Sequence, residues 1–241
     1  MRMRRGWDIE AGNWARFART PGHDHSHAEI NLPALLELLP PPGRLTLDLG
    51  CGEGRLGPVL RSLGHQVVGI DASPAMVHLA AARGVRELAM VADAAALPFR
   101  DSVFDLVVAY MSLHDIDQMP RAVAQIARVL VRGGRLCMAI VHPLSSAGSF
   151  SGREATAPFV IAGSYLDQAP VTWVSDRGGI RMTFHSEHRS IEAYSRALET
   201  AGMLIEALRE VRTNDELAAD DPSDRRWLRI PLFLHIRAMK R

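Results

Sequence analysis

The chain has 241 residues, of which 47% are hydrophobic and 23% charged, and its formal net charge is +1 at pH 7. This composition is typical of one folded domain with elaborations, and the balanced charge argues against a surface that binds nucleic acid. No apolar run approaches the roughly 18 residues of a membrane span, and no apolar stretch follows the basic N-terminus, so we expect neither a membrane span nor a secretory signal.

The first 28 residues are polar and show neither a helical nor a strand period. They contain His23, His25 and His27, whose alternate spacing would place all three on one face only in an extended segment. No cysteine joins them, and Asp24 is the only acidic residue nearby. We therefore predict a polar, mobile arm and no metal site.

Strand and helix patterns alternate over the next 110 residues or so. Helical spacing over 29–39 ends at a Pro-Pro-Pro-Gly run. We predict strands at 45–49, 65–70, 85–92, 105–110 and 135–141, and helices at 55–63, 73–83 and 121–130. Gly84 would end the second of these helices, and Gly133-Gly134 the third. Such alternation predicts a doubly wound, parallel α/β sheet.

The C-terminal third shows a different pattern. Residues 145–183 are rich in glycine, serine and aromatic residues and have no clear period. A helix is predicted at 191–201, followed by strands at 203–211 and 228–239 with a charged loop between them. Two strands joined by a loop predict an antiparallel hairpin at the edge of the sheet.

A glycine-rich turn follows the first predicted strand, where residues 47–57 are Leu-Asp-Leu-Gly-Cys-Gly-Glu-Gly-Arg-Leu-Gly. Glycine permits positive φ and lets a ligand lie against bare backbone. Residues 52–57 match the dinucleotide fingerprint G-x-G-x-x-G, which by itself is weak support. Asp71 ends the second strand, where its carboxylate could bind the ribose of NAD or of another adenosine cofactor.

Three further features separate these cofactors. Asp48 precedes the glycines, which is unfavourable beside a pyrophosphate and favourable beside a cationic amino-acid group. Asp93 ends the third strand, where its carboxylate can accept a hydrogen bond from an adenine amino group. The third feature is the antiparallel hairpin predicted at the C-terminal end of the chain.

In these stretches the chain resembles the class I S-adenosylmethionine-dependent methyltransferases, and specifically the small-molecule group similar to ubiquinone and menaquinone C-methyltransferases. The resemblance is strong over about 30–143 and loose over 185–240, and its motifs are residues 47–54, 67–76, 92–99, 104–114 and 128–136. It implies a Rossmann-like, seven-stranded α/β sheet that is mostly parallel, with an antiparallel C-terminal hairpin strand.

The resemblance also implies S-adenosyl-L-methionine as cofactor and S-adenosylhomocysteine as product. Asp48 would lie near the methionine amino group, Asp71 would hold the ribose, and Asp93 would face the adenine. The implied cofactor-binding residues are Asp48, Gly50, Cys51, Gly52, Asp71, Ala72, Ser73, Met76, Asp93, Ala94, Ala109 and Tyr110. Some of these residues could have a structural role instead of binding the cofactor. Met76 could pack in the core, and the carboxylates of Asp71 and Asp93 could cap local turns.

Two histidines are candidate general bases on the acceptor side, because they follow the fourth and fifth strands. They are His114 and His142, whose imidazoles titrate near neutral pH. The alternative for each is a hydrogen bond to loop backbone. His185 and His188, near the start of the next helix, are weaker candidates.

The expected organisation has three parts. Residues 1–28 would form an N-terminal lid, as the resemblance implies, with Trp14 and Phe17 as its apolar face. Residues 29–241 would form the methyltransferase domain, in which 145–183 covers the acceptor. Cys51 and Cys137 fall in apolar segments, which disfavours a disulfide and favours a cytoplasmic location.

The resulting hypothesis is methyl transfer to a small-molecule acceptor, such as a secondary metabolite or a quinone-like ring. Positioning supplies most of the catalysis, with a histidine base where the acceptor must lose a proton. Two alternatives stay open: an NAD-dependent oxidoreductase and a non-catalytic binding protein with a methyltransferase-like fold. A role on RNA fits poorly with the charge balance.

Overall fold

A seven-stranded sheet forms the centre of the computed structural model, which describes residues 2–82, 89–219 and 222–241. The described residues contain eleven strands: β1 Thr46–Leu49, β2 Val67–Asp71, β3 Ala89–Val91, β4 Phe104–Tyr110, β5 Leu130–Val141, β6 Ser149–Phe150, β7 Phe159–Val160, β8 Ala169–Arg177, β9 Ile180–His188, β10 Met203–Val211 and β11 Phe233–Lys240. The sheet order is β10-β11-β5-β4-β1-β2-β3. Five strands are parallel, whereas β11 pairs antiparallel with β5 and with β10. The predicted Rossmann-like sheet with its C-terminal hairpin is confirmed.

Helices flank the sheet and cover its carboxyl edge. The described α-helices are α1 Arg2–Arg19, α2 Leu32–Leu36, α3 Leu56–Ser62, α4 Pro74–Ala80, α5 Met119–Val129, α6 Pro143–Ala147 and α7 Ile191–Thr200. A π-helical turn, Ser26–Asn31, runs directly into α2. The start of α4 follows from its sequence, because Ser73 Oγ accepts a hydrogen bond from the Met76 N–H at 3.1 Å and proline suits the first turn.

The core lies on both faces of the sheet, as the alternation of side chains along β4 shows. Leu106, Val108 and Tyr110 face α2 and α3, whereas Val107 and Ala109 face α5 and α7. All five are buried. The last residue of β4 therefore directs its ring to the opposite side from Ala109.

The N-terminal segment differs from the prediction of an irregular arm, because residues 2–19 form a continuous helix. Met3, Ala11 and Ala15 are 2–3% exposed and share one face at helical spacing. Arginines and two glycines lower the mean hydropathy of this segment and conceal its period.

The region 145–183 also has more regular structure than predicted. Strands β8 and β9 form a hairpin whose turn is Gly178-Gly179, with φ of +58° and +76°. Two consecutive positive φ values are the requirement of a type I′ turn, so the Gly-Gly pair was a readable hairpin signal. His185 and His188 lie on β9, which ends just before α7, so they precede the start of that helix as predicted.

The predicted starts of two strands differ from the structure, and two further predicted boundaries lie where the structure describes no residues. Strand β5 begins at Leu130 and runs through the glycine pair that was predicted to precede it. The last strand begins at Phe233 instead of 228, because a 3-10 turn occupies Pro222–Leu228. The predicted helix end at 83–84 and strand start at 85 lie outside the described residues.

Aromatic side chains join α1 to the hairpin β8–β9. The ring of Trp7 lies 5.6 Å from Trp14 and 6.0 Å from Phe184, and Trp173 stacks on Phe184 at 4.9 Å. Aromatic pairs at such separations stabilise a contact beyond simple burial. Within the described ranges, no helix combines the length and the apolarity that a membrane span requires.

Candidate functional site

A cavity of about 430 Å³ opens at the carboxyl ends of β1 to β4, beneath α1. This edge is where open α/β sheets bind ligands. Every residue that the sequence assigns to the cofactor lines the cavity except Ala109. Ala109 is fully buried in the core on the α5 and α7 side, because its side chain alternates with that of Tyr110.

The glycine turn leaves its backbone bare toward this cavity. Gly50 and Gly52 have φ of +76° and +55°. A Cβ on Gly50 would clash with the side chain of Ser112, whereas a Cβ on Gly52 would meet no atom within 4 Å. The amides of Gly50 and Cys51 both donate to the Ile70 carbonyl at 2.8 Å, which holds the turn against β2. A ligand can therefore approach the peptide at Gly52 directly.

Three carboxylates line the cavity at successive strand ends: Asp48 on β1, Asp71 on β2 and Asp93 after β3. Neighbouring strands lie about 4.8 Å apart, so the row spans about 10 Å. Asp71 accepts hydrogen bonds from the amides of Gly52 at 2.9 Å and Ser73 at 2.8 Å. Asp93 accepts one from the Ala95 amide at 2.8 Å, so both carboxylates also cap local turns. The row matches the length of a nucleoside with a short extension.

Burial dominates the electrostatics of this row. It raises the pKa of Asp48 to about 7, and the negative charges of Asp71 and Glu53 act in the same direction, against Arg61. Burial also raises the pKa of Asp71 to about 6, although its two amide donors favour the ionised form. A cationic group bound beside Asp48 would be stabilised, whereas a pyrophosphate would be repelled.

Two other residues that the sequence predicts to bind the cofactor also have structural roles. Met76, a buried residue of α4, is 2% exposed and also lines the cavity. Burial raises the pKa of the Cys51 thiol above its usual range, so the sulfur stays protonated. Cys51 therefore serves as a small residue in a tight turn.

Helix α1 is attached to three of the loops that surround the cavity. Ser73 Oγ donates to Asp8 at 2.6 Å, and Trp7 Nε1 donates to Asp115 at 3.1 Å. Trp14 Nε1 donates to Glu53 at 3.1 Å, next to the glycine turn. The sequence predicted a lid from these residues only through the family resemblance, since its helical period was missed.

Arg55 reinforces the contact between the glycine turn and the N-terminal segment. Its guanidinium binds Glu53 at 3.1 Å and Asp24 at 2.8 Å, and lies 4.6 Å from the centroid of Trp14. A half-enclosed ion pair stacked on an aromatic ring holds its geometry better than an exposed pair.

The part of the cavity beyond β4 is lined by residues that the sequence did not assign to the site. His27 Nδ1 lies 2.6 Å from the Tyr110 hydroxyl, and Asn31 Oδ1 lies 2.7 Å from His235 Nε2. His27, Asn31 and Phe233 all line the cavity. His27 and Asn31 are four residues apart, which is the spacing of one helix face, but the first was assigned to a mobile arm.

His114 and His142, the two predicted bases, do not line the cavity. His114 is buried, and its Nε2 lies 3.6 Å from the carboxylate of Asp115, which does line it. His142 Nδ1 accepts a hydrogen bond from the Leu144 amide at 3.0 Å and so caps α6, while its Nε2 lies 3.0 Å from Glu210.

The weaker candidates are also engaged elsewhere. His188 lies between Ser146 Oγ at 2.7 Å and the Tyr165 carbonyl at 2.8 Å, and His185 lies on β9 beside Thr172. In the part of the chain that the structure describes, no group of three or more His, Cys, Asp or Glu side chains is arranged to hold a metal ion.

Comparisons with known proteins agree with this geometry. A family model described as a methyltransferase domain matches residues 47–138. The chain is 37% identical over 110 residues to a demethylmenaquinone methyltransferase of Thermus thermophilus, which covers 43% of this chain and 50% of the relative. It is 32% identical over 171 residues to an aklanonic acid methyltransferase of Streptomyces sp. strain C5, which covers 68% of this chain and 76% of the relative.

The fold comparison extends over most of the chain. The crystal structure of an S-adenosylmethionine-dependent methyltransferase from Mesorhizobium loti superposes with a TM-score of 0.72 at 26% identity, covering 86% of this chain and 96% of that one. The chain spans only 40–50% of the length of the first curated relatives that it matches. The part matched by the family model includes the glycine turn, all three carboxylates and the strands that position them, and the 32% identical relative covers two thirds of the chain, so the chain belongs to the class I S-adenosylmethionine-dependent methyltransferases.

Proposed function

We propose that this protein transfers the methyl group of S-adenosyl-L-methionine to a small-molecule acceptor. The observation that carries the proposal is the row of three carboxylates, of which Asp48 is buried, beside a bare glycine turn, with a further wall beyond β4 in the same cavity. Bound S-adenosyl-L-methionine supplies a methyl group activated by its sulfonium and leaves as S-adenosylhomocysteine.

The residues present fit this cofactor. Asp48, whose pKa is raised by burial, would take the positive methionine ammonium as its partner. Asp71 would accept from the ribose hydroxyls, and Asp93 with the Ala94 amide would bind the adenine edge. The open space at Gly52 leaves room for the methionine part against the backbone. The molecule carries no phosphate, which agrees with an acidic rather than basic site.

Several features support a small acceptor rather than a nucleic acid. The cavity lies beneath α1, and its wall beyond β4 includes the apolar side chains of Met111 and Phe233. The net charge of +1 supplies no excess of positive charge for a phosphate backbone. Two relatives are named for demethylmenaquinone and aklanonic acid methylation, which supports an acceptor of the secondary-metabolite or quinone-like class.

The division of the chain follows from these contacts. We infer that α1 and the turn after it, within residues 1–28, act as a lid over the cofactor. Residues 29–241 would form the catalytic domain, in which the hairpin β8–β9 supports the lid through Phe184. Among the described residues, none of 145–183, the predicted acceptor cover, lines the cavity. Positioning by the closed cavity supplies the main part of the catalysis, because the methyl donor is already activated.

Calorimetric titration with S-adenosylhomocysteine and, separately, with NADH tests the proposal. We expect S-adenosylhomocysteine to bind and NADH to give no heat of binding at the same concentrations. The variant Asp71→Asn should weaken S-adenosylhomocysteine binding about tenfold or more, because two ribose hydroxyls lose a charged acceptor. Tight NADH binding without S-adenosylhomocysteine binding would overturn the proposal.

A further inference from the structure

His27 and Asn31 form a polar pair on one face of the π-helical turn Ser26–Asn31, opposite the row of carboxylates. Both line the cavity. At a separation of four residues, their Cβ atoms lie about 5–6 Å apart, which lets the two side chains reach neighbouring atoms of one ligand. Turns of π-helix are rare and occur frequently at functional sites.

His27 is placed to accept a proton. One of its ring nitrogens, Nδ1, lies 2.6 Å from the Tyr110 hydroxyl, and Nε2 has no hydrogen-bond partner among the described residues. Burial lowers the pKa of His27 to about 4, and the nearby Arg55 lowers it as well, against Asp24 and Glu53. The ring is therefore neutral at pH 7, with one nitrogen carrying a lone pair.

Asn31 is held so that its amide nitrogen can donate. The side chain is buried, and its Oδ1 lies 2.7 Å from His235 Nε2. An amide oxygen can only accept, so His235 is the donor in this hydrogen bond. His235 is fully buried, and burial lowers its pKa to about 4, which keeps it neutral. The Asn31 NH₂ group is left as a donor at the cavity wall.

The backbone beside this pair is strained. Met111 follows Tyr110 and has φ of +54°, a left-handed conformation that costs a non-glycine residue about 1–3 kcal/mol. Met111 also lines the cavity. Such strain is found preferentially at ligand sites, where the surrounding structure imposes it.

We propose that this turn recognises an acceptor with a hydroxyl group next to a carbonyl oxygen, with His27 as the catalytic base and Asn31 as the donor to the carbonyl. The inference rests on the proposed methyl transfer and adds the class of acceptor. This role requires the tautomer in which His27 Nδ1–H donates to the Tyr110 oxygen, 2.6 Å away. Tyr110 is then a positioning residue that keeps the Nε2 lone pair directed at the acceptor.

The proton and the electron pairs balance. His27 Nε2 takes the hydroxyl proton, and the freed oxygen pair forms the bond to the methyl carbon. The pair of the broken carbon–sulfur bond stays on sulfur, which loses its positive charge. The products are a methyl ether, S-adenosylhomocysteine and an imidazolium that returns its proton to water.

The test uses 1-hydroxyanthraquinone as the probe, with 2-hydroxyanthraquinone as the matched ligand whose hydroxyl is remote from the carbonyl. Probe binding is measured on the full chain loaded with S-adenosylhomocysteine, and methyl ether formation with S-adenosyl-L-methionine is followed by mass spectrometry. We expect the first probe to bind about tenfold more tightly than the second and to be methylated.

Substitutions of His27 and Asn31 distinguish a catalytic base from a hydrogen-bond donor to the acceptor and from a residue that binds the cofactor. His27→Gln should lower the methylation rate about 10²-fold or more, with S-adenosylhomocysteine affinity within about twofold of wild type. Asn31→Leu should weaken the first probe about tenfold without changing S-adenosylhomocysteine affinity. His25→Gln, which changes an exposed histidine of the same segment, is the matched control and should behave as wild type.

The outcomes distinguish this inference from the proposed function. Failure of the wild-type chain to bind S-adenosylhomocysteine refutes the proposed function itself. Normal cofactor binding with equal affinity for both probes, no methyl ether, or unchanged methylation by His27→Gln overturns the inference alone. A loss of S-adenosylhomocysteine affinity in His27→Gln would assign the histidine to the cofactor and also overturn it.

Discussion

At the residue scale, Asp48 combines a structural cost with a binding role. It is 2% exposed, and burial raises its pKa to about 7. Without a bound cation the neutral carboxyl is favoured, whereas an ammonium ligand favours the carboxylate. Among the described residues, the charges that act on Asp48 are Asp71, Glu53 and Arg61, of which only the last favours ionisation.

The first prediction follows from this pKa. Because ligand binding requires the ionised form, S-adenosylhomocysteine affinity should fall as pH decreases through 7, approaching tenfold per pH unit below about 6. Calorimetry from pH 5.5 to 8.5 measures this dependence. The variant Asp48→Asn should bind S-adenosylhomocysteine weakly over the whole pH range. Its affinity should depend less steeply on pH, and the remaining dependence should reflect the titration of Asp71. A flat profile for the wild-type protein would contradict the assigned role.

The sequence predicts His142 to be a general base, whereas its contacts in the structure are those of a helix cap. It follows β5, as a base for an acceptor would, but its ring caps α6 and pairs with Glu210. Burial lowers its pKa, so the neutral ring is available to accept the Leu144 amide. A position at the end of a strand is therefore not enough to identify a base, because the sequence does not show in which direction the imidazole ring points.

The second prediction concerns this cap. His142→Ala should lower the free energy of unfolding by about 1 kcal/mol, the usual effect of losing a helix cap, and leave S-adenosylhomocysteine affinity unchanged. Urea denaturation and calorimetry measure the two quantities. His142→Asn, which can restore a cap, should recover part of the stability. A loss of methyl transfer at unchanged stability would instead support the predicted base.

At the element scale, α1 and the hairpin β8–β9 form the cover of the site. Helix α1 contacts the hairpin through aromatic rings and through two hydrogen bonds, from the Thr183 amide to Glu10 and from Asn13 Nδ2 to the Arg181 carbonyl. Its contacts with the loops around the cavity are hydrogen bonds. Two of these three hydrogen bonds have a buried partner, Ser73 in one and Glu53 in the other. Opening of the proposed lid would therefore break three hydrogen bonds while the rest of the domain stays folded.

The third prediction tests the bond between Ser73 and Asp8. Asp8→Ala should weaken S-adenosylhomocysteine binding about threefold to tenfold, because the lid loses its contact with the loop that carries Asp71. The circular dichroism spectrum and the melting temperature should change little. Glu199→Ala, on the exposed side of α7, serves as the control. Equal affinities for all three proteins would refute a lid function for α1.

The elements also show where sequence patterns succeed. The strands β1, β2 and β4 and the helix α3 agree with prediction to within two residues, because each is a contiguous apolar or amphipathic run bounded by glycine or proline. Helix α1 was not predicted, because two of the four buried residues described in it are alanines, which contribute little hydrophobic contrast, and its arginines and glycines lower the mean hydropathy. The β8–β9 hairpin was missed because its two-residue glycine turn was not weighed.

At the scale of the whole molecule, the sheet order separates two halves of the cavity. Strands β3, β2 and β1 carry the three carboxylates in succession, and β4 continues the row with Tyr110. Beyond β5, the antiparallel strand β11 places Phe233 at the same edge. Cofactor and acceptor would thus lie side by side along one edge of the sheet, with the methyl group between them.

The fourth prediction concerns the response of the whole chain to the cofactor. A ligand that binds only the folded state at 100 times its dissociation constant adds about 2.7 kcal/mol to stability, which should appear as a higher melting temperature. In hydrogen exchange, added S-adenosylhomocysteine should protect α1 and the π-helical turn more than β4 and β5, which are protected already. Uniform protection over all elements would contradict a separately opening cover.

The sequence by itself determined the cofactor half of this protein. Each of its carboxylates lies at the end of a contiguous strand pattern, and parallel strands bring their ends to one edge, so local patterns were sufficient. The acceptor half was decided only by the tertiary structure. His27, Asn31, Tyr110 and Phe233 come from segments up to 206 residues apart, and only the packing of α1 and the π-helical turn over the sheet brings them together.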